Sequence, residues 1–283
     1  MSVAMMGETT RGEGKSDERP GIPVSVVIPC RNEAPGIPQL VSVLTSLQGA
    51  LAREYALTFI VVDDGSEDAT WARMTAAFGD HPSFVLLRHR VNRGVAAAIR
   101  TGLRAAETDI VCSIDADCTY DPHELRRMIP LLIDGVDLVT ASPYHPRGAV
   151  RNVPPWRLAL SKTASRLYRL VLRQQLYTYT SCFRVYRRRA VLDLPLRDGG
   201  FVGVAEMLGR LDLRGSRIVE CPATLDVRRF GRSKMKLVRA IAGHLRLLAW
   251  LAVRRVFARS SPEKAGTLTQ PRGIAAAHRG DHR

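Results

Sequence analysis

Five short apolar runs in the first half of the chain constrain the fold more than any other feature. They lie at residues 24–28, 58–62, 84–87, 109–114 and 136–140 and are rich in Val and Ile. Continuous rather than alternating apolar runs are typical of strands buried on both faces. Segments of helix length separate them, at 40–52, 69–78, 95–106 and 122–133. This alternation predicts an α/β fold with a mostly parallel central sheet flanked by helices.

The domain organisation follows from the same pattern and from composition. A chain of 283 residues that is 46% hydrophobic can bury a large core. After about residue 145, further predicted elements at 156–176, 181–186, 202–213 and 218–227 complete the same domain. We expect a flexible leader over 1–22, one domain over 23–235, an amphipathic basic helix over 236–258 and a disordered tail over 259–283. No segment has the pattern expected of a signal peptide or a membrane-spanning helix.

The charge of the chain is strongly positive and unevenly distributed. Lys and Arg number 42 against 27 Asp and Glu, a net charge of +15. Residues 147–189 hold eleven basic and no acidic residues, and residues 226–260 hold ten basic residues and the single Asp226. Solvated helix faces would account for such runs, but ordinary surfaces mix both signs. We therefore expect an anionic partner, which leaves nucleic acid, an anionic membrane surface and a phosphorylated substrate open.

The last predicted helix carries an apolar stripe. Its members recur at spacings of three and four: Leu237, Ile241, Leu245, Leu248, Ala252 and Val256. Basic residues lie on the other side, with Trp250 and Phe257 among them. Such a helix either docks its stripe on the core or lies in a membrane interface, and the pattern leaves both open.

The five cysteines contain no CxxC pair and are odd in number. This excludes a zinc ribbon and a disulfide framework and favours a reducing compartment.

Polar residues directly follow three of the predicted strands. The segments are PCRNE at 29–33, DDGS at 63–66 and DAD at 115–117. In parallel sheets, ligands bind at the carboxyl ends of the strands. No GxGxxG follows the first strand and no P-loop is present, which argues against a dinucleotide-binding or P-loop enzyme. Asp115 and Asp117 leave an extended backbone on the same side, so together they suit Mg²⁺ or Mn²⁺.

Six segments in order carry a family resemblance. They are VSVVIPCRNE, IVVDDGSED, NRGVAAAIRTG, IDADCTYDP, SCFRVYRR and RRFGRSK. Over about residues 23–236 the chain resembles a family 2 glycosyltransferase of the GT-A fold, and it is most similar to the dolichol-phosphate mannosyltransferase and polyprenyl-phosphate glycosyltransferase branch.

The resemblance implies a nucleotide-diphospho-sugar donor and a divalent metal, Mg²⁺ or Mn²⁺. Asp115 and Asp117 would be the metal ligands, with Asp117 the principal catalytic one. The residues implied in donor binding are Pro29, Arg31, Glu33, Asp63, Asp64, Gly94, Asp115, Ala116 and Asp117. Asp63 and Asp64 are also compatible with an ordinary turn.

The resemblance also implies a polyprenyl phosphate acceptor, which would explain the basic segments. The implied phosphate-binding residues are Arg157, Arg184, Arg228, Ser233 and Lys234. Glu206 is the candidate general base should one be required; otherwise it is a helix-surface acid.

The predicted activity is inverting transfer of a hexose, mannose from GDP-mannose or glucose from UDP-glucose, at the cytoplasmic face of a membrane to which the protein binds peripherally. An alternative is a soluble transferase with a polysaccharide, protein or small-metabolite acceptor, which a requirement for polyprenyl phosphate would exclude. A nucleic-acid-binding protein is disfavoured, because acidic residues cluster at the predicted sheet edge and few aromatic residues accompany the arginines.

Overall fold

The computed structural model describes residues 21–226 and 237–260, and in this part of the chain a seven-stranded sheet forms the centre. The order of its strands is β3-β2-β1-β4-β7-β5-β8. Neighbouring strands are parallel, except that β7 runs antiparallel to both β4 and β5. The strands are β1 (Ile22–Cys30), β2 (Tyr55–Asp63), β3 (Phe84–Arg88), β4 (Ile110–Ser113), β5 (Val136–Ser142), β7 (Arg184–Arg187) and β8 (Arg217–Pro222). A separate parallel pair joins β6 (Ala149–Val150) to β9 (Thr224–Leu225).

Helices cover both faces of the sheet. The helices are α1 (Ile37–Leu51), α2 (Thr70–Phe78), α3 (Val95–Ala105), α4 (Leu125–Met128), α5 (Pro155–Val171), α6 (Arg188–Val191), α7 (Phe201–Leu213) and α8 (Leu237–Ser260). Residues of α1, α2 and α4 belong to one hydrophobic cluster, and residues of α3, α5, α7 and α8 belong to a second. In β1, Val26 and Ile28 join the first cluster and Val27 joins the second. The strand is therefore buried on both faces, as its continuous apolar run predicts.

The segment at 122–133 does not form the single helix that its length predicts. It contains two 3-10 turns, Pro122–Glu124 and Ile129–Leu131, on either side of the single α-helical turn α4. Pro130 provides the physical reason at the end of α4, because a proline lacks the backbone N–H that would continue the α-helical hydrogen bonds.

Helix α8 occurs where the sequence predicts an amphipathic helix, but only part of its apolar stripe packs on the core. Of the predicted stripe, Leu248 is buried together with Leu247 and Leu251, whereas Ile241, Leu245 and Val256 are exposed. Helix α8 packs closely against α7, since a Cβ added at Gly209 of α7 would lie only 2.8 Å from the side chain of Leu251 in α8. The stripe is therefore divided, with Leu248 on the core and Ile241, Leu245 and Val256 at the surface.

Candidate active site

An open cleft of about 1290 Å³, here called the sheet-edge cleft, lies at the carboxyl ends of β1, β2 and β4. Its other walls come from the start of α5, residues 178–182 and 198–202, and the start of α8. Nine of the residues singled out in the sequence line it: Pro29, Arg31, Glu33, Asp64, Gly94, Asp115, Ala116, Asp117 and Arg157. The fold thus brings the predicted donor residues and one predicted acceptor residue together.

The loops after β1 and β2 are tied together by bonds between side chains and backbone. The Asn32 N–H donates to Ser66 Oγ at 2.8 Å, and the Glu67 N–H donates to Asn32 Oδ1 at 2.8 Å. The Glu33 N–H donates to Thr70 Oγ1 at 2.7 Å. Asn32 has a φ of 50°, a left-handed conformation that Asn tolerates better than most residues. These contacts hold the cleft wall in place before any ligand binds.

Asp64 lines the cleft and also holds the loop before α3. Its Oδ1 accepts from His89 Nδ1 at 2.7 Å and from the Arg93 N–H at 2.8 Å, and its Oδ2 accepts from the Gly94 N–H at 2.7 Å. A carboxylate offers about four acceptor positions, so three are already used. These bonds fix Asp64 in the wall of the cleft, and its role in donor binding stays a prediction.

Asp63 lies beneath this wall rather than on it. The residue is fully buried and does not line the cleft. Its Oδ1 accepts from the Ser66 N–H at 3.1 Å, and Arg88 Nε lies 3.0 Å from its Oδ2. This placement corrects the expectation that Asp63 contacts the nucleotide: the residue anchors the turn after β2.

The two carboxylates after β4 form the acidic floor of the cleft. Asp115 and Asp117 both line it, and Asp117 Oδ1 accepts from the Thr119 N–H at 3.2 Å. Within residues 21–226 and 237–260, no three His, Cys, Asp or Glu side chains are grouped to hold a metal ion. Two hard oxygen donors in an open cleft fit Mg²⁺ or Mn²⁺ only if substrate phosphates and water complete the coordination. The residues present therefore suit a metal that binds together with a diphosphate.

Cysteines on the cleft wall stay protonated. Burial raises the pKa of the Cys182 thiol well above its ordinary value, and the Asp115 carboxylate adds to that shift. Burial also raises the pKa of Cys30, with a further contribution from Glu33. Because the thiolate is the nucleophilic form of cysteine, neither side chain is suited to form a covalent intermediate.

The model of Glycosyl transferase family 2 matches residues 25–194 of the chain, which is more than half of its length. The chain belongs to this family. The transferase is 35% identical over 243 residues to a polyprenol monophosphomannose synthase of Mycolicibacterium smegmatis, covering 83% of this chain and 89% of the relative.

Two further relatives are longer than this chain. A dolichol-phosphate mannosyltransferase of Pyrococcus furiosus is 30% identical over 215 residues, covering 75% of this chain and 59% of the relative. An undecaprenyl-phosphate 4-deoxy-4-formamido-L-arabinose transferase of Klebsiella pneumoniae is 30% identical over 224 residues, covering 77% and 64%. This chain thus spans less than two thirds of either of them.

A solved structure confirms the GT-A fold that the resemblance implies. It is the glucosyl-3-phosphoglycerate synthase of Mycobacterium tuberculosis in complex with Mn²⁺, UDP-glucose and phosphoglyceric acid, with a TM-score of 0.60 and 24% identity. The match covers 83% of the transferase and 80% of that chain. The predicted family, fold class and enzyme class are therefore all confirmed.

Glu206 occupies a different place from the one expected of a general base. It is buried in α7, does not line the cleft, and pairs with Arg210 through bonds of 2.8 and 2.6 Å to Oε1. Its Oε2 accepts from the Arg197 and Asp198 N–H groups at 2.9 and 3.0 Å. The carboxylate is thus neither a surface acid nor placed to take a proton from a substrate. It holds the segment that carries Asp198 into the cleft.

Arg184 is also inside the transferase rather than on the cleft wall. It is fully buried, and its guanidinium donates to Val204 O at 2.8 Å and to Tyr179 O at 3.0 Å. An acceptor phosphate at the cleft surface therefore does not meet it. Arg184 links β7 to α7 and to the segment before β7.

Arg157 is the predicted acceptor residue that the structure does place on the cleft, at the exposed start of α5. Arg228, Ser233 and Lys234 lie outside the described residues. The described residues on either side of that gap include Asp226 and Arg239, and both line the cleft. The described lining thus holds Arg157 and Arg239 together with Asp226, and the role of Arg157 in acceptor binding stays a prediction.

Three charged residues of the cleft lining were not among the site candidates: Asp198, Asp226 and Arg239. Two had a local signal, since Asp198 directly precedes Gly199 and Gly200, and Asp226 stands just before the RRFGRSK segment. The position of Asp226 is set by the fold, because its N–H donates to Thr119 O at 2.9 Å beside the acidic floor.

Proposed function

We propose that the transferase moves a hexose from a nucleotide-diphospho-sugar to the phosphate of a polyprenyl phosphate. The observation that carries this proposal is the composition of the sheet-edge cleft. Carboxylates at the ends of β1, β2 and β4 line it together with Arg157 and Arg239 from α5 and α8. The relatives named for polyprenol, dolichol and undecaprenyl phosphate support an acceptor of this class. The two mannose-transferring names among them favour GDP-mannose as the first donor to test.

Asp115 and Asp117 would hold Mg²⁺ or Mn²⁺ against the donor diphosphate. A metal bound there supplies Lewis-acid stabilisation of the negative charge on the leaving nucleoside diphosphate. The Mn²⁺ present with UDP-glucose in the structure of the M. tuberculosis synthase supports a divalent ion of this kind.

The acceptor phosphate would be the nucleophile. One of its oxygens forms a bond to the anomeric carbon while the bond from that carbon to the diphosphate oxygen breaks, so the configuration inverts. Since a phosphate oxygen is already ionised, no side chain has to remove a proton, which agrees with the saturated state of Glu206. Arg157 and Arg239, both on the cleft wall, would orient the acceptor phosphate.

Membrane association would come from the outer faces of α5 and α8. On α5, exposed apolar side chains recur at spacings of four, seven and three: Trp156, Leu160, Leu167 and Leu170. Helix α8 adds Val238, Ile241, Leu245 and Val256, and the two helices meet where the Tyr168 hydroxyl lies 2.8 Å from His244 Nδ1. None of the helices in the described residues has the length and apolarity to span a bilayer.

We propose that these faces lie on the cytoplasmic surface of a membrane, with the neighbouring basic side chains on the lipid headgroups.

The test of the reaction is glycolipid formation from GDP-mannose and UDP-glucose with Mg²⁺ or Mn²⁺, with and without polyprenyl phosphate. We expect a glycolipid only when polyprenyl phosphate is present. Arg126→Gln serves as a control, because Arg126 is exposed on α4 and is absent from the cleft lining. Transfer to a water-soluble acceptor with none to the lipid would contradict the proposed acceptor.

The test of membrane binding is cosedimentation with vesicles of phosphatidylcholine and phosphatidylglycerol. We expect Leu160→Ser/Leu167→Ser/Leu170→Ser to bind at least about tenfold more weakly, because each leucine buried in lipid contributes about 1.5–3 kcal/mol. The matched control is Ile22→Ser/Val91→Ser/Ile133→Ser, which removes three exposed apolar side chains elsewhere. We also expect wild-type binding to weaken as salt rises. Equal loss in both triple variants would contradict the assigned membrane face.

A further inference from the structure

A second concavity of about 960 Å³ is formed by α3, α7, α8 and the segment before α7, and it is lined by five arginines. It is called the arginine cleft here, and its arginines are Arg100, Arg197, Arg210, Arg214 and Arg254. They come from α3, the segment before α7, the end of α7 and the second half of α8. The two clefts share no lining residue among those described. The arginine cleft is therefore a separate feature from the catalytic one.

The positive charge of the arginine cleft is only partly neutralised by the protein. Arg210 pairs with Glu206, through bonds of 2.8 and 2.6 Å. The other four arginines make no ion pair with any described residue, and no Asp or Glu lines the cleft. Like charges collected in a concave surface raise the local potential and attract anions.

One indole ring holds three of these guanidinium groups near one another. The Cζ atoms of Arg197, Arg210 and Arg254 lie 5.0, 4.4 and 5.6 Å from the centroid of the Trp250 ring. Each distance is within the range of a cation–π interaction, which offsets part of the repulsion between the cations. A further guanidinium atom in the wall, Arg100 Nε, is buried and has no hydrogen-bond partner. Apart from Arg210, the arginines of the site thus present donors without a carboxylate among the described residues to receive them.

We propose that the arginine cleft is a second anion site that binds a phosphate group. Guanidinium forks match the oxygens of phosphate in a bidentate geometry, and several forks converging in one cleft favour a phosphate ester or a diphosphate over a single carboxylate. The phosphate belongs either to a soluble phosphorylated compound or to the headgroup of an anionic phospholipid. The second source rests on the membrane association proposed above, because Val253, Val256 and Phe257 are exposed on the same half of α8.

The soluble arm of the test uses the fluorescence of Trp250. The chain has three tryptophans, so Trp71→Phe/Trp156→Phe leaves Trp250 as the sole reporter in the full chain. Inorganic pyrophosphate is titrated without divalent metal, donor or acceptor, so that a failure of the proposed transfer reaction does not affect the result. We expect saturable binding that Arg214→Gln/Arg254→Gln weakens by about tenfold or more. Both arginines are exposed, so their replacement spares the fold. Arg100→Gln tests the same site from another helix.

The lipid arm compares vesicles of phosphatidylcholine with and without phosphatidylglycerol. If a headgroup is the ligand, Arg214→Gln/Arg254→Gln abolishes the extra binding that phosphatidylglycerol produces. The control variant in both arms is Arg53→Gln/Arg189→Gln, which removes the same charge from exposed positions outside both clefts. Pyrophosphate binding alone identifies a soluble ligand, and a phosphatidylglycerol effect identifies a headgroup. Equal behaviour of the cleft and control variants in both arms overturns the proposal.

Discussion

The proposed donor side and the proposed acceptor side of the sheet-edge cleft are built in different ways. On the donor side, the loops after β1 and β2 are fixed by hydrogen bonds, and buried Asp64 receives three of them. On the acceptor side, Arg157 and Arg239 extend from the ends of helices and are exposed. The donor wall is thus formed in advance, whereas the acceptor wall is a charged rim.

This difference matches what each substrate needs. A sugar nucleotide is recognised by hydrogen bonds, which require fixed donors and acceptors. A lipid phosphate is held mainly by charge while its chain stays in the membrane, and exposed arginines beside the apolar faces of α5 and α8 suit that task. Variants on the donor side should therefore lower the transfer rate and the free energy of unfolding most. Variants on the acceptor side should mainly weaken binding of the acceptor.

The largest effect is expected on the donor side, from Asp117→Ala. Asp117 lines the cleft, and its loss would remove one of the two carboxylates proposed to hold the metal. We expect transfer to fall by about 100-fold or more with an unchanged fold. Single-turnover kinetics and circular dichroism measure the two quantities. Near-normal transfer would place the metal elsewhere, and Asp121→Ala, on an exposed carboxylate outside the cleft, is the control.

A second effect concerns the rigidity of the donor wall. Gly94 has a φ of +97°, and a Cβ there would lie 2.4 Å from Gly199 O. Gly135 has a φ of +79° with nothing within 4 Å of such a Cβ. We expect Gly94→Ala to lower the free energy of unfolding by about 3 kcal/mol and Gly135→Ala by about 1 kcal/mol. Denaturant titration measures both, and equal losses would mean that the contact between α3 and the segment before α7 is not tight.

A smaller effect is expected on the acceptor side. Arg157→Gln should raise the KM for polyprenyl phosphate by about tenfold, because one charged hydrogen-bonding partner of the phosphate is lost. The KM for the donor should stay unchanged, since Arg157 belongs to α5 and not to the loops after β1 and β2. Steady-state kinetics with each substrate varied in turn separates the two constants. A rise in the donor KM instead would break the division between the two sides.

The smallest effect is a pH dependence of stability at the contact between α5 and α8. Burial lowers the pKa of His244 below its ordinary value of 6.5, although Asp198 partly opposes that shift. The unfolded chain therefore binds this proton more readily than the folded chain does. The resulting stability is present above about pH 6.5 and is lost as the pH falls through the folded pKa.

Between about pH 7.5 and about pH 5.5, the wild type should therefore lose more unfolding free energy than His244→Gln does, by at most about 1 kcal/mol. Denaturant titrations of both proteins at the two pH values measure this difference. Identical pH profiles would show that His244 is as solvated in the folded chain as in the unfolded one.

Local patterns were enough to locate the strand ends that line the sheet-edge cleft, although not to show that Asp63 is buried beneath it. A buried parallel strand needs apolar residues on both faces, so the run at 24–28 predicts β1, and a strand end at the sheet edge predicts the location of Asp115 and Asp117. The same reasoning failed for the helix at 122–133, where Pro130 breaks the pattern. Arguments from the local sequence therefore succeed for an uninterrupted apolar run and fail where a proline interrupts the pattern.

The sequence by itself determined the family, the α/β alternation and the acidic sheet edge, because each is written in short contiguous segments. Only the tertiary structure decided which charged side chains face a ligand. Glu206 and Arg184 have the chemistry of site residues, yet both are buried and bonded to other segments, Glu206 to the Arg197 and Asp198 N–H groups and Arg184 to the Val204 carbonyl. Asp226 and Arg239 reach the cleft instead. Whether a charge serves a substrate or the fold depends on which distant groups surround it, and that information is not local.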